Sequence, residues 1–188
     1  MFLIFCLIAC TEESKLEENG LTKEEMAVES MLTIDWDDLI PKQYSPGKVM
    51  AMYEPELERL ERLGDEEYMQ ESEELYKKIE TEINNIPPNG ALNNKWIKLA
   101  GFIAPLNNYN GLITEFLFVP YFGACIHVPP PPANQTVLVE VAPENGIRPE
   151  DAFNIFLVSG QIRITANKTG IGEANYSIKD AMIEIYEE

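Results

Sequence analysis

The spacing of apolar residues changes once along the chain, near residue 90. From Glu54 to about Ile83, apolar residues recur at roughly helical spacing. Pro55 suits the first turn of a helix, and Gly64 interrupts the apolar stripe. The pattern therefore predicts one or two amphipathic helices that lie against a folded domain. The stripe is too irregular for a sustained coiled coil.

Beyond the breaker cluster at residues 84–90, the apolar residues alternate with a period of two. Strands are predicted over residues 95–106, 112–120, 137–141, 153–165 and 175–186. Five short strands with glycines at their corners fit a small barrel. The predicted fold is mainly β with an α-helical N-terminal extension, and its core is an OB-like, partly closed β-barrel. A β-sandwich is the alternative.

The first ten residues indicate a sorting signal. Residues 1–9 are continuously apolar but too short to span a bilayer. The run Leu7-Ile-Ala-Cys10 resembles the bacterial lipobox, in which the cysteine is acylated. We therefore expect a lipoprotein with a membrane anchor on Cys10, exported to the cell envelope and facing the periplasm. Thr11, in place of aspartate, favours the outer membrane over the inner one.

These patterns divide the chain into four parts. Residues 1–9 form the signal peptide, and residues 10–33 form a tether with a short helix that begins at the capping box Thr22-Lys-Glu-Glu25. Residues 34–90 form an acidic helical extension, and residues 91–188 form the β-barrel domain. The net charge of −18, concentrated before residue 90, excludes nucleic acid and argues against anionic membrane surfaces as partners.

The best candidate for a chemical site is the pair Cys125 and His127. His127 is the only histidine, and Cys125 is the only thiol left once Cys6 is cleaved off and Cys10 is lipidated. An extended backbone over residues 124–128 would place both side chains on one face. The four prolines that follow stiffen the exit as polyproline II.

Three hypotheses for this segment stay open. In the first, Cys125 and His127 bind Zn(II) or Cu(I) together with ligands from elsewhere. In the second, Cys125 is a nucleophile whose thiolate is favoured by His127. In the third, which is slightly favoured, the segment is structural. The polar residues expected to converge near this segment as binding groups are Tyr121, Glu115, Asn134 and Gln135.

Two long segments, Gly101–Leu106 and Thr114–Gln135, closely resemble a bacterial family known as domain of unknown function 3299. Trp36-Asp-Asp-Leu-Ile-Pro41 and Gly160–Ile164 are similar to that family as well, so the resemblance covers roughly residues 34–186. The resemblance implies an exported or lipid-anchored protein, and some members are encoded near transporter components. It implies no catalytic activity.

The predicted function is therefore that of an envelope lipoprotein acting as a binding or accessory module, in a setting of metal handling or transport. Partners would include the membrane, through the lipid on Cys10, and transporter or other envelope proteins. A periplasmic thiol-dependent enzyme that uses Cys125 and His127 is the alternative from a different class.

Overall fold

The computed structural model describes residues 31–44, 46–125 and 130–187. Cys6, Cys10, His127 and the helix predicted from Thr22 lie outside the described residues. The helices are α1 (Pro46–Met52), α2 (Glu54–Leu60) and α3 (Asp65–Asn84). The strands are β1 (Leu32–Thr33), β2 (Lys95–Tyr109), β3 (Leu112–Val119), β4 (Val137–Glu140), β5 (Phe156–Lys168), β6 (Glu173–Ile178) and β7 (Met182–Ile185).

Five of the strands form a closed path of backbone pairing. β2 pairs antiparallel with both β3 and β5, and β3 pairs antiparallel with β4. β4 runs parallel to β6, which pairs antiparallel with β5 and so returns to the start. This arrangement confirms the mainly β prediction of an OB-like, partly closed barrel with a helical N-terminal part. A sandwich would lack the ladders that join its two sheets.

Two further strands extend the sheet outside this path. β1 lies parallel to the first part of β2, and β7 lies antiparallel to the first part of β5. The final strand predicted over residues 175–186 is present in two pieces, β6 and β7, which both run antiparallel to β5. A short irregularity at residues 179–181 separates them, and Asp180 adopts a left-handed φ of 50° there. Both strands lie along the edge of β5 that faces away from β2, and only β6 also pairs with β4.

The hairpin between β2 and β3 shows how local sequence fixes the register. Asn110 and Gly111 have φ values of 52° and 84°, which suit a two-residue turn with the twist of the adjoining strands. The ladder continues to the last pair, Tyr109 with Leu112, so β2 runs three residues past its predicted end at Leu106. The turn itself is therefore tighter than the sequence pattern suggested.

The barrel interior is apolar and encloses one tyrosine. Tyr176 is fully buried, and its hydroxyl donates to the carbonyl oxygen of Leu39 at 2.6 Å. The same hydroxyl accepts a hydrogen bond from the backbone N–H of Asn89 at 2.5 Å. Burial raises the pKa of Tyr176 to about 12, so the hydroxyl remains a donor across the physiological range. It joins the helical extension to the barrel.

The helices contribute a second apolar cluster. Gly64 adopts an extended conformation and precedes α3, which confirms the break predicted there. Buried side chains from the extension pack together in this cluster: Ile40, Val49, Tyr53, Ile79 and Ile86. Among the described residues, no helix is both long enough and apolar enough to cross a bilayer.

Candidate functional site

The segment around Trp36 packs against β2, β3 and the residues that follow the four prolines. The indole N–H of Trp36 donates to the carbonyl oxygen of Ala100 at 2.8 Å, and its ring lies 5.5 Å from that of Phe118. Gly101 leaves the space for this indole, since a Cβ there would lie 2.7 Å from Trp36 Cζ2. The side-chain amide of Gln135 donates to the carbonyl oxygen of Trp36 at 2.6 Å. These contacts hold the segment around Trp36 against the barrel.

The side chain of Asn134 forms hydrogen bonds that join the segment after the prolines to the end of α3. It is fully buried, and its Nδ2 donates to the carbonyl oxygens of Ile83 at 3.2 Å and Ile86 at 2.8 Å. Its Oδ1 is buried without a partner among the described residues. The amides of Asn134 and Gln135, both predicted as binding groups, thus make hydrogen bonds within the chain.

Glu115 lies in the wall of the barrel on β3. Its carboxylate accepts a hydrogen bond from Asn107 Nδ2. Across the β3–β4 ladder it lies opposite Glu140, whose carboxylate pairs with the ammonium group of Lys179 at 3.0 Å. The described partners of Glu115 therefore belong to the strand surface, and Cys125 is not among them.

The structure brings Tyr121 and Cys125 together. Burial raises the pKa of Cys125. Burial also raises the pKa of Tyr121, and the negative charge of a Cys125 thiolate adds to that rise. Gly172 borders the thiol, because a Cβ built there would lie 3.6 Å from Cys125 Sγ. A partly buried thiol with a raised pKa stays protonated near neutral pH, which is unfavourable for a nucleophile.

The extended backbone expected at Cys125 is not found. Its φ of 65° is left-handed, so the simple alternation of side chains across a strand does not apply from this residue. Within residues 31–44, 46–125 and 130–187, no cluster of three His, Cys, Asp or Glu side chains is arranged to hold a metal ion. The metal hypothesis therefore depends on His127, which lies outside those ranges.

An apolar cleft of about 350 Å³ lies beside the turn at Phe122 and Gly123. Phe122 and Phe153 stand at its mouth, 55% and 69% exposed, with their ring centroids 6.1 Å apart. Two buried core residues, Ile103 and Ile113, form its floor. The remaining lining comes from Pro105, Gly123, Pro149 and Ala152. We refer to this feature as the Phe122–Phe153 cleft.

The Phe122–Phe153 cleft exists because of how the chain covers this end of the barrel. The connection from β4 to β5 lines the cleft only with the short 3-10 helix Pro149–Asp151 and the turn that follows it, at Ala152 and Phe153. Such short turns leave part of the core accessible from outside. The sequence pattern drew attention to the cysteine, the histidine and the polar residues of the motif around Phe122, but not to Phe122 itself. An aromatic residue in a turn, followed much later by Phe153 in another, was the signal that was missed.

A second and larger cavity of about 540 Å³ lies between α3 and the proline segment. Its walls combine Tyr76, Ile79 and Glu80 from the helix with Pro130 and Glu173 from the barrel side. Glu173 is already paired with the ammonium group of Lys168 at 2.8 Å. This cavity lacks the exposed aromatic pair that makes the Phe122–Phe153 cleft suitable for an apolar group.

Comparisons with known proteins place these features in a family. The model for a protein of unknown function, DUF3299, matches residues 36–185, and the chain therefore belongs to that family. A crystal structure of a DUF3299 family protein from Pseudomonas aeruginosa PAO1 is similar, with 30% sequence identity and a TM-score of 0.62. The match covers 85% of this chain and 98% of that one. No curated protein matches the chain.

Proposed function

We propose that the protein is a lipid-anchored binding module of the bacterial envelope that holds an apolar group of its partner in the Phe122–Phe153 cleft. The anchor is the acylated Cys10, and the module faces the periplasm from the outer membrane. It serves as an accessory component of an envelope assembly such as a transporter, without catalysing a reaction of its own.

The observation that carries the proposal is the exposure of two phenylalanines over a cleft that reaches the core. Isolated apolar side chains on a surface need no explanation, but a concave apolar site with aromatic walls is the usual form of a binding pocket. Phe122 also contacts Phe102, with ring centroids 5.9 Å apart, so its position is supported from behind. A supported aromatic wall loses little conformational entropy when a ligand binds.

The environment of Cys125 supports a binding role over the thiol-enzyme alternative. Thiol catalysis needs a thiolate, and surroundings that lower the thiol pKa supply it. Burial acts in the opposite direction on Cys125. The thiol of Cys125 is partly buried and lies next to Gly172. This environment is typical of a packed side chain and not of an exposed nucleophile.

A neutral apolar dye tests the cleft directly. N-phenyl-1-naphthylamine gains fluorescence in apolar surroundings and carries no charge that the acidic chain would repel. We expect saturable binding to the full chain, weakened about tenfold or more by Phe153→Ala and by Phe122→Ala.

The control is Tyr76→Ala, which removes an aromatic side chain of similar exposure, 51%, from α3. It also lines the larger cavity. Unchanged binding in both phenylalanine variants, or a loss confined to Tyr76→Ala, would overturn the assignment of the site. Circular dichroism of each variant shows whether the fold is retained.

A further inference from the structure

Among residues 31–44, 46–125 and 130–187, no backbone group pairs with the outer edge of β7. Among the described strands, β7 pairs only with β5, and the two run antiparallel from Met182 with Ser159 to Ile185 with Phe156. The N–H of Tyr186 donates to the carbonyl oxygen of Ile155 at 2.9 Å, which continues the ladder by one pair. In an antiparallel ladder the hydrogen-bonded pairs alternate. The backbone groups of Ile183 and Ile185 therefore point away from β5.

The side chains along this edge are unusually apolar for an exposed strand. Met182, Ile185 and Tyr186 are 45%, 49% and 41% exposed. Ile155, opposite Tyr186, is 39% exposed and lies two residues after Phe153. Met182 and Tyr186 share one face of the strand, and Ile155 connects the Tyr186 end of β7 to Phe153 at the mouth of the cleft.

The flanks of the edge are acidic. Asp180, Glu184 and Glu187 are exposed along this stretch. The basic residue there, Lys179, has its ammonium group in an ion pair with Glu140 at 3.0 Å. Natural edge strands are commonly protected by lysines, which repel further strands. Within described residues 179–187 the carboxylates leave the edge suited to a cationic strand.

We propose that β7 pairs with an extended segment of a partner protein in which apolar residues alternate with Lys or Arg. This inference rests on the proposed function, because the same segment places an apolar side chain in the Phe122–Phe153 cleft. Strand addition uses main-chain hydrogen bonds for affinity and pockets for specificity, and both are present here. At about 3.4 Å per residue, the four residues of β7 span roughly 14 Å, so a partner segment of about seven residues extends past the end of β7 that lies beside Ile155.

A second copy of this chain is a poorer occupant of the edge. Antiparallel pairing of two β7 strands about their centres would bring Glu184 of each copy close to its equivalent. Like charges opposite each other across a ladder are destabilising. The net charge of −18 on each chain adds to that repulsion.

The test uses isotope-labelled full-length protein and the synthetic peptide Phe-Lys-Val-Lys-Val-Lys-Phe. We expect amide hydrogen exchange at Ile183 and Ile185 to slow at least tenfold at saturating peptide. The version with Glu in place of Lys, and the version with N-methylated valines, should each bind at least tenfold more weakly. The first comparison tests charge complementarity, and the second tests backbone pairing.

The matched pair of variants is Ile185→Lys and Leu32→Lys. Leu32 lies on β1, the strand at the other end of the sheet order, and at 48% it is almost as exposed as Ile185 at 49%. Ile185→Lys should weaken peptide binding at least tenfold, and Leu32→Lys less than twofold. Protection at β1 in place of β7, or no protection at Ile183 and Ile185, would overturn the inference. So would concentration-dependent protection of β7 without peptide, since a second copy would then occupy the edge.

The two proposals fail in different ways. Dye binding that depends on Phe153, without any peptide pairing at β7, leaves the cleft as a site and overturns the strand addition. Peptide pairing that is unaffected by Phe153→Ala supports the edge and contradicts its connection to the cleft.

Discussion

Replacing Gly101 with alanine tests how the segment around Trp36 is held against the barrel. A Cβ at this position would lie 2.7 Å from Trp36 Cζ2, 2.8 Å from the carbonyl oxygen of Val119 and 3.1 Å from Phe118 Cζ. The indole can tilt away, but the carbonyl belongs to β3 and pairs with β2. One side chain and one backbone strand must therefore both move to admit a single methyl group.

The expected loss of stability follows from those distances. Inserting atoms into a packed core costs about 1–3 kcal/mol. We expect about 3 kcal/mol for Gly101→Ala, at the upper end of that range, because a strand has to shift. Urea unfolding followed by tryptophan fluorescence measures the change, with the slope against urea expected to stay constant.

Gly47→Ala is the matched control. Gly47 is exposed in α1, and a Cβ there meets nothing within 4 Å. Alanine in place of glycine inside a helix stabilises by about 0.5–1 kcal/mol, so the two substitutions should have opposite signs. Adding Trp36→Phe to Gly101→Ala should recover only part of the loss, because the Val119 carbonyl remains. A loss below about 0.5 kcal/mol for Gly101→Ala would refute this account of the packing.

Three further predictions concern other parts of the chain. Asn134→Ala should lower the free energy of unfolding by about 2–3 kcal/mol, because the carbonyl oxygens of Ile83 and Ile86 lose a buried donor; a urea midpoint equal to that of the unsubstituted protein would contradict it. Alkylation of Cys125 by iodoacetamide should be slow at pH 7 and accelerate with rising pH, with its midpoint above the ordinary thiol pKa, because burial raises the pKa of Cys125; a midpoint below that value would revive the nucleophile hypothesis. Cys10→Ser should abolish labelling by palmitate and release the protein from bacterial membranes, as measured by fractionation, whereas continued membrane association would contradict lipid anchoring.

The local pattern of the sequence was sufficient for much of the fold. The helical stripe broken at Gly64 was predicted, and the strands predicted over residues 95–106 and 112–120 left residues 107–111 between them, which contain the observed turn at Asn110 and Gly111. The interruption between β6 and β7 was missed because residues 179–181 contain neither glycine nor proline. Asp180 adopts the left-handed conformation, but an aspartate at this position is not by itself a recognisable signal in the sequence.

The site was harder to anticipate because its contacts join distant parts of the chain. Asn134 reaches the carbonyl of Ile86 across 48 residues, and Gln135 reaches that of Trp36 across 99. No periodicity connects such positions, so two amides expected to bind a ligand proved to make internal hydrogen bonds. The Phe122–Phe153 cleft likewise arises only when two separate turns meet over one end of the barrel.

The most direct test of the binding role is a methyl-resolved NMR titration with N-phenyl-1-naphthylamine. The isoleucine methyl groups of Ile103 and Ile113 form the floor of the Phe122–Phe153 cleft, whereas those of Ile79 and Ile83 line the larger cavity beside α3. The account predicts saturable shifts at Ile103 and Ile113, with Ile79 and Ile83 unchanged. Shifts confined to Ile79 and Ile83, or none at any of the four, would contradict it.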